Sequence, residues 1–123
     1  MSALLTFRPG QSDLITITYK DSVGVAIPHS EIEDVRWIFR HSNGDTVLKC
    51  SKVSPAGWED LKEHADAGKY TFEVLEEMGK DWANGEIHLE WWLKLTNPDF
   101  TEGFKPMDVI HYYDVVGTNY SNE

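Results

Sequence analysis

The sequence predicts an all-β fold, an antiparallel two-sheet sandwich of about seven strands with one short helical corner and the size of an immunoglobulin-like domain. Apolar residues recur at every second position in several short segments, as they do when one face of a strand is buried. Glycine, proline and asparagine turns separate these segments at intervals of about ten to fifteen residues. No long segment has a helical period, so we expect strands rather than helices to form most of the fold. A closed barrel is the alternative arrangement.

Length and composition bound the domain organisation. The chain has 123 residues, of which 41% are hydrophobic, enough for one core without disulfides or metals. We therefore expect a single domain over residues 1–123. Residues 117–123 are polar and are expected to form a flexible tail or a tail that docks on a neighbour.

Charge and targeting features narrow the function classes. The formal net charge is −10 and the pI is near 4.8, which disfavours binding to nucleic-acid phosphates. The first residues carry neither a basic region nor an apolar run of signal-peptide length, and no run approaches the ~20 apolar residues of a membrane span. The prediction is a chain made in a cytoplasm, with no nucleic-acid or membrane partner.

The first third of the chain contains two strand patterns. Leu4 to Phe7 predicts an opening strand that ends at Pro9-Gly10. Asp13 to Lys20 alternates β-branched and polar residues and predicts a strand with one solvated side. Val25 to Pro28 contains a proline, so it is expected to be an edge piece or an extended linker.

The next segment predicts a hairpin. Asp34 to Arg40 and Thr46 to Cys50 alternate at strand spacing on either side of Asn43-Gly44-Asp45. Cys50 is the single cysteine and cannot form an internal disulfide, so we expect a small buried side chain there. Residues 54–68 are expected to be irregular, although residues 58–65 could form one or two helical turns.

The second half is organised around one strong strand. Between Asn84-Gly85 and Asn97-Pro98, apolar residues occupy every second position, which predicts a central strand. The apolar positions are Ile87, Leu89, Trp91, Leu93 and Leu95, and the opposite face carries His88, Glu90, Trp92 and Lys94.

Three further elements flank this strand. Lys69 to Val74 predicts a strand, and Leu75 to Trp82 predicts a short helical corner. Met107 to Val116 predicts the last strand, after a loop that holds Pro98, Gly103 and Pro106.

Five tryptophans in so short a chain are the most informative composition feature. Trp37 and Trp91 lie in phase with apolar neighbours and are predicted to be core. Trp92 is out of phase, so it should point outward, where it contacts a partner, packs under a loop or stacks on a sugar. Trp58 and Trp82 lie at loop or helix ends.

Catalytic and metal motifs are sparse. The five histidines lack the close spacings of common zinc motifs, although His88 and His111 would be neighbours if their strands pair. The acids are numerous, and glycoside hydrolysis needs only two at the right separation, so a small hydrolase stays as a third hypothesis. Neither a nucleophile-elbow sequence nor a phosphate loop is present. We therefore predict no catalytic residue, no metal site and no cofactor.

The order of these motifs resembles a phage family, the immunoglobulin-like domains at the N-terminus of phage and prophage upper baseplate and tail-fibre-attachment proteins. The similarity extends from Leu5 to Val116 and rests on a series of strand and turn motifs. These are Thr6-Phe7-Arg8-Pro9-Gly10 with the strand Asp13 to Thr18, the hairpin Val35 to Leu48, the strand Tyr70 to Val74, the corner ending at Trp82, and Gly85-Glu86 with Leu89 to Pro98.

The resemblance implies a structural role without enzymatic activity. It implies a virion adaptor on a tail, baseplate, neck or head, present in several copies or as a homo-oligomer, with other virion proteins as partners and the virion as its location. Two departures point to a small free-standing accessory: residues 55–68 are longer than expected, and no second domain follows. The predicted partner-binding or glycan-binding residues are Trp92, Trp58, Trp82 and Tyr112. A carbohydrate-binding β-sandwich module is the alternative.

Overall fold

The computed structural model describes residues 5–8, 11–79, 82, 84–96 and 105–115. The predicted tail at 117–123, and the predicted loop positions Pro98 and Gly103, lie outside these ranges. Pro106 was predicted in the same loop, and this is wrong, because it lies in the strand Lys105–Val115.

Strands account for most of the described chain. They are β1 (Leu5–Phe7), β2 (Asp13–Thr18), β3 (Ile32–His41), β4 (Thr46–Ser51), β5 (Glu59–Asp60), β6 (Lys62–Glu63), β7 (Lys69–Val74), β8 (Gly85–Leu95) and β9 (Lys105–Val115). A 3-10 turn spans His29–Glu31, and a short helix, α1, spans Glu76–Gly79. The mostly β prediction is confirmed, as is a helical turn at the corner after β7.

The strands form two sheets. The larger has the order β1-β9-β8-β3-β4-β5, and the smaller has the order β2-β7-β6. Strand β8 lies between β9 and β3, so its prediction as a central strand is confirmed. Its apolar face explains this position, because an interior strand must bury one side against the core.

The prediction of a wholly antiparallel sandwich is wrong at two edges. The long pairs β3–β4, β3–β8, β8–β9 and β2–β7 are antiparallel, but β1 pairs with β9 in parallel and β4 pairs with β5 in parallel. A tight turn forces antiparallel pairing, whereas strands distant in sequence or joined by a longer loop are not constrained in this way. The β4–β5 connection spans residues 52–58, and β1 and β9 lie at opposite ends of the described chain.

The segment predicted as irregular carries strands β5 and β6. Only Leu61 separates them, and they belong to different sheets. Leu61 is 5% exposed and belongs to the core. The chain therefore crosses from one sheet to the other around a single buried leucine, and the helical alternative for residues 58–65 is wrong.

One hydrophobic core lies between the sheets. It includes Trp37 and Cys50, both fully buried, so both core predictions are confirmed. Trp91 also faces this core from β8 but is only partly buried. The largest fully buried side chains come from both sheets and their connections: Trp37, Tyr19, Tyr70, Tyr113, Phe7 and Phe39.

Candidate functional site

The outer face of the larger sheet is the first candidate surface. Strands β3 and β8 pair Arg36 with Trp92 and Ile38 with Glu90. Directly opposite residues of an antiparallel pair point to the same side of the sheet. Their neighbours Trp37 and Leu89 are buried, so these pairs point away from the core. Trp92 therefore lies on the outer face, as the alternation in β8 predicts.

The loop after β4 brings Trp58 onto the same face. The guanidinium carbon of Arg36 lies 4.7 Å from the centroid of the Trp58 ring, and Lys49 Nζ lies 4.9 Å from it. Cations at this distance from an indole are attracted by its electron-rich face. The Trp58 ring thus contacts two positive side chains on neighbouring strands.

Trp58 and Trp92 line one open cavity of about 260 Å³ together with Arg36 and Ile38. We call these four residues, with Lys49, the tryptophan face. Trp92 is half-buried, and its indole Nε1 is buried with no hydrogen-bond partner in the described part of the chain. Among the described residues the ring is therefore held by packing contacts, and partner contact, loop cover and sugar stacking stay predictions for Trp92.

Ion pairs border the tryptophan face. Arg40 Nε lies 2.6 Å from Glu90 Oε2, and Lys94 Nζ lies 2.6 Å from Glu33 Oε2. These pairs balance their own charges, whereas Lys49 adds positive charge beside the tryptophans. Arg36 Nε also lies 3.4 Å from Asp34 Oδ2, and Lys49 lines a cavity with Glu59, so both cations of the tryptophan face lie beside carboxylates of the same chain.

A second cavity, of about 380 Å³, lies where the smaller sheet adjoins strand β5 of the larger sheet. Its rim carries two exposed leucines, Leu14 at 64% and Leu75 at 45%. We call it the acidic groove because three carboxylates line it. The acidic groove is lined by Leu14, Glu59, Asp60, Lys62, Thr71, Phe72, Glu73, Leu75 and Met78.

Sequence reasoning missed the acidic groove. Leu14 is out of phase with Ile15 and Ile17 in β2, so its outward position could have been inferred from the alternation. The alternation could not have predicted that Glu59 and Asp60 line a cavity with Glu73. This arrangement depends on the crossover between the two sheets at Leu61. Carboxylates that share a cavity do not by themselves form a catalytic pair, because glycoside hydrolysis also requires a defined distance between the two carboxyl groups.

Trp82 and Tyr112 do not join the tryptophan face. Trp82 is 8% exposed, and its ring centroid lies 4.8 Å from that of Phe7. Its prediction as a surface-binding residue is wrong, because the corner after α1 folds the ring into the core. Tyr112 is half-buried and packs edge-on against Tyr113 at 4.8 Å, and this burial raises its pKa to about 12.

The β8–β9 register places Tyr112 far along the sheet from Trp92. Trp92 is opposite Pro106, whereas Ile87, near the other end of β8, is opposite Tyr113. Of the four predicted binding residues, Trp58 and Trp92 share the outer face of the larger sheet. Trp82 and Tyr112 instead both pack against Tyr113.

We expected His88 and His111 to be neighbours if their strands pair, and this prediction is confirmed. His88 is paired with His111 across β8 and β9. Within the described ranges, no three His, Cys, Asp or Glu side chains are grouped to hold a metal ion. The same ranges contain no helix long and apolar enough to span a bilayer.

Comparison with known proteins adds no relative. No protein-family model, no curated protein and no solved structure matches the chain.

Proposed function

We propose that this chain is a non-enzymatic adaptor of a bacteriophage particle that acts through protein–protein contacts. The observation that carries the proposal is the meeting of Trp58, Trp92 and Arg36 at one cavity on the outer face of a sheet. Tryptophan and arginine are the residues most enriched among energetically dominant interface positions.

The surroundings of the cavity support a protein partner. The cavity is lined by Ile38 as well as by the two indoles, so an apolar partner side chain would be desolvated on entry. The pairs Arg40–Glu90 and Lys94–Glu33 lie on the same strands and supply a polar border. An apolar centre with a polar rim is the usual anatomy of a protein interface.

The phage setting rests on the resemblance of the strand and turn motifs. Under this proposal the two sheets form an immunoglobulin-like sandwich that serves as a tail, baseplate, neck or head accessory. Its partners are other virion structural proteins, it is present in several copies, and it resides in the virion after synthesis in the host cytoplasm.

A carbohydrate-binding module is the second candidate, favoured by the two indoles that share a cavity. An indole face can stack on a sugar ring, but orientation of a sugar also requires several convergent polar groups. Among the described residues, the cavity lining offers one charged side chain, Arg36, beside the indoles. The protein-contact proposal therefore fits the lining better.

Particle composition tests the proposal. The Trp92→Ala variant is introduced into the phage or prophage genome that encodes the chain, and purified particles are quantified by mass spectrometry. The control is Val25→Ala, which removes an exposed side chain (60% exposed) elsewhere. We expect wild-type and Val25→Ala chains in the particles and at least a tenfold loss of Trp92→Ala, equivalent to about 1.4 kcal/mol of contact free energy.

Two outcomes would overturn the proposal. One is purified particles that lack the wild-type chain altogether. The other is normal incorporation of Trp92→Ala together with loss of binding to a glycan array, which would support the carbohydrate module. Circular dichroism of the isolated variant confirms that it remains folded.

A further inference from the structure

We infer that the chain forms a two-fold dimer in which strand β2 (Asp13–Thr18) pairs antiparallel with β2 of a second copy. The inference goes beyond the proposed adaptor function, because it concerns a different surface from the tryptophan face. It follows from the open edge of β2, from the register that this edge imposes and from the side chains that meet in that register.

Strand β2 is an edge of the smaller sheet. The order β2-β7-β6 leaves one side of β2 without a strand partner in the described part of the chain. Just past β2, the backbone N–H of Tyr19 donates to the carbonyl of Gly68, which directly precedes β7. Backbone groups on an antiparallel strand face its two sides alternately. Odd-numbered residues of β2 therefore bond toward β7.

The even-numbered residues, Leu14, Thr16 and Thr18, direct their N–H and C=O groups to the open side. The N–H of Leu14 agrees with this assignment, because it donates to Oδ1 of Asp13 rather than to β7. The open side thus presents a row of backbone donors and acceptors, which is a template for another strand.

The edge of β2 lacks the features that normally prevent pairing with another chain. Proteins protect edges with very short strands, lysine, proline or a bulge. The other edge strands are short, with three residues in β1 and two each in β5 and β6. Strand β2 has six residues, contains neither lysine nor proline, and pairs with β7 without a register shift. Among the described edges, β2 is therefore the one open to pairing.

The open edge selects one register for two copies. With a two-fold axis at Thr16, each Thr16 is opposite Thr16 of the second copy, and the two exchange N–H···O bonds. Thr18 is then opposite Leu14 of the second copy, so its N–H meets a carbonyl. A slip by one residue would place apolar side chains on the solvated face. A slip by two residues would leave outward groups at one end without a partner, so the axis at Thr16 gives the fullest pairing.

The same register completes the burial of Ile17. Ile15 and Ile17 both point to the core side of β2, but Ile15 is fully buried whereas Ile17 is only half-buried. In the dimer, Ile15 of one copy lies opposite Ile17 of the other, and β-branched pairs in this position stabilise a sheet. Pairing therefore covers apolar surface that the isolated chain leaves exposed.

The charges of β2 permit contact with a second copy. Residues 14–18 carry no charge. The one acid of the strand, Asp13, is at its end, where Oδ2 accepts the hydroxyl hydrogen of Tyr113 at 2.6 Å. In the proposed register Asp13 is opposite Tyr19 of the second copy, so no acid is opposite another acid within residues 13–19. The net charge of −10 on each copy acts at longer range and is screened at about 0.15 M salt, where the Debye length is about 8 Å.

The contact is small. A strand of six residues is about 20 Å long, and two such edges bury less than the about 1,200 Å² of a stable interface. The dimer is therefore expected to be reversible and to form at high protein concentration. Copies held in one assembly would meet at a high effective concentration, which favours the same contact.

Cysteine cross-linking tests the register. Thr16→Cys would place two cysteines with their Cα atoms about 5.5 Å apart, within the range of about 4.4–6.8 Å that a disulfide spans. Thr18→Cys is the matched control, because Thr18 is also exposed on the same face of β2 but lies about 14 Å along the strand from its copy. The native Cys50 is fully buried, so it stays unreactive in the folded chain.

Both variants are oxidised in the same glutathione buffer, and dimers are quantified by non-reducing electrophoresis. We expect Thr16→Cys to form disulfide-linked dimers at least tenfold faster than Thr18→Cys. Random collisions would cross-link the two variants at the same rate.

A pair of charged variants tests the two-fold axis without a covalent bond. Thr16→Lys and Thr16→Glu each place like charges opposite one another across the axis, so each should weaken dimerisation at least tenfold. Mixing the two variants places lysine opposite glutamate and should restore dimers. Analytical ultracentrifugation up to about 1 mM chain measures association, and circular dichroism verifies that each variant is folded.

Three results would overturn the inference. These are a wild-type chain that is monomeric at every concentration, equal cross-linking of Thr16→Cys and Thr18→Cys, and a mixture of the charged variants that associates no better than either alone. The first result would leave the β2 edge to a strand of a different protein. None of the three affects the adaptor proposal, whose test depends on Trp92 in the larger sheet.

Discussion

Ser51 donates its hydroxyl hydrogen to Asp34 Oδ1 at 2.9 Å, and both residues are buried, at 0% and 3% exposure. The same carboxylate oxygen accepts the backbone N–H groups of Lys52 and Val53, at 3.1 and 3.2 Å. One buried carboxylate thus fixes the start of the loop that carries Trp58. A buried acceptor with several donors stabilises only while all of them are satisfied.

We expect Asp34→Ala to lower the free energy of unfolding by about 3 kcal/mol, since it leaves buried donors without an acceptor. Asp34→Asn keeps an oxygen for Ser51, Lys52 and Val53. It loses the ion pair in which Arg36 Nε lies 3.4 Å from Asp34 Oδ2, so its cost should be about 1.5 kcal/mol. Urea denaturation gives both values. Equal losses in the two variants would contradict the role assigned to the Oδ1 atom.

A hydrogen-bonded chain crosses the core through Tyr19. Trp37 Nε1 donates to the Tyr19 hydroxyl oxygen at 3.2 Å, and that hydroxyl donates to the backbone carbonyl of Trp92, also at 3.2 Å. Tyr19→Phe should therefore cost about 2 kcal/mol of unfolding free energy, because the Trp37 N–H stays buried without a partner.

Tyr70 provides the matched control for Tyr19. It is also fully buried, but its hydroxyl has no hydrogen-bond partner among the residues described. Tyr70→Phe removes an unsatisfied polar atom and should change stability by less than about 0.5 kcal/mol, or raise it. A larger loss for Tyr70→Phe than for Tyr19→Phe, measured by urea denaturation, would refute this account.

Gly68 packs against the backbone of a neighbouring connection. Its φ is +68°, and a Cβ there would lie 2.5 Å from the Tyr19 carbonyl oxygen and 3.0 Å from that of Ile27. Gly68→Ala should cost about 4 kcal/mol, through a left-handed backbone that alanine disfavours and through overpacking. Thermal unfolding followed by circular dichroism measures the loss.

The control for Gly68 is Gly24, which has φ +89°. A Cβ added at Gly24 would meet no atom of the described residues within 4 Å. Gly24→Ala should therefore lower the free energy of unfolding by about 1–2 kcal/mol, because alanine disfavours the left-handed backbone conformation. If both variants lose the same stability, close packing at Gly68 contributes nothing.

Buried tyrosines predict a loss of stability in alkali. Burial raises the pKa of Tyr19, Tyr70 and Tyr113, and it raises the pKa of Tyr112 from 10.0 to about 12. Below the unfolded value of 10.0 both states keep the phenol proton, so the contribution to stability is complete. Above it the unfolded chain releases protons that the folded chain retains, so stability falls.

The expected slope is up to about 1.4 kcal/mol per pH unit for each of these tyrosines once the pH exceeds the unfolded value. For Tyr112 the fall ends near pH 12. Urea midpoints from about pH 8 to about pH 11, with tyrosinate absorbance recorded in parallel, measure it. Tyr112→Phe should reduce the slope, and a midpoint that stays constant above the unfolded pKa would contradict the prediction.

The sequence determined the long strands and their buried faces. The alternation in β8, the hairpin at Asn43-Gly44 and the burial of Trp37 and Cys50 follow from local periodicity and turn chemistry, which act over a few residues. The outward direction of Trp92 follows in the same way, because neighbouring side chains on a strand point to opposite faces.

Only the tertiary structure decided which distant residues meet. Trp58 reaches Trp92 because a buried carboxylate, Asp34, fixes the loop after β4, and Trp82 turns into the core because Phe7 and Tyr113 cover it. The acidic groove exists because the chain changes sheets at Leu61. These contacts join residues far apart in sequence, where the periodicity of one strand carries no information about the position of another.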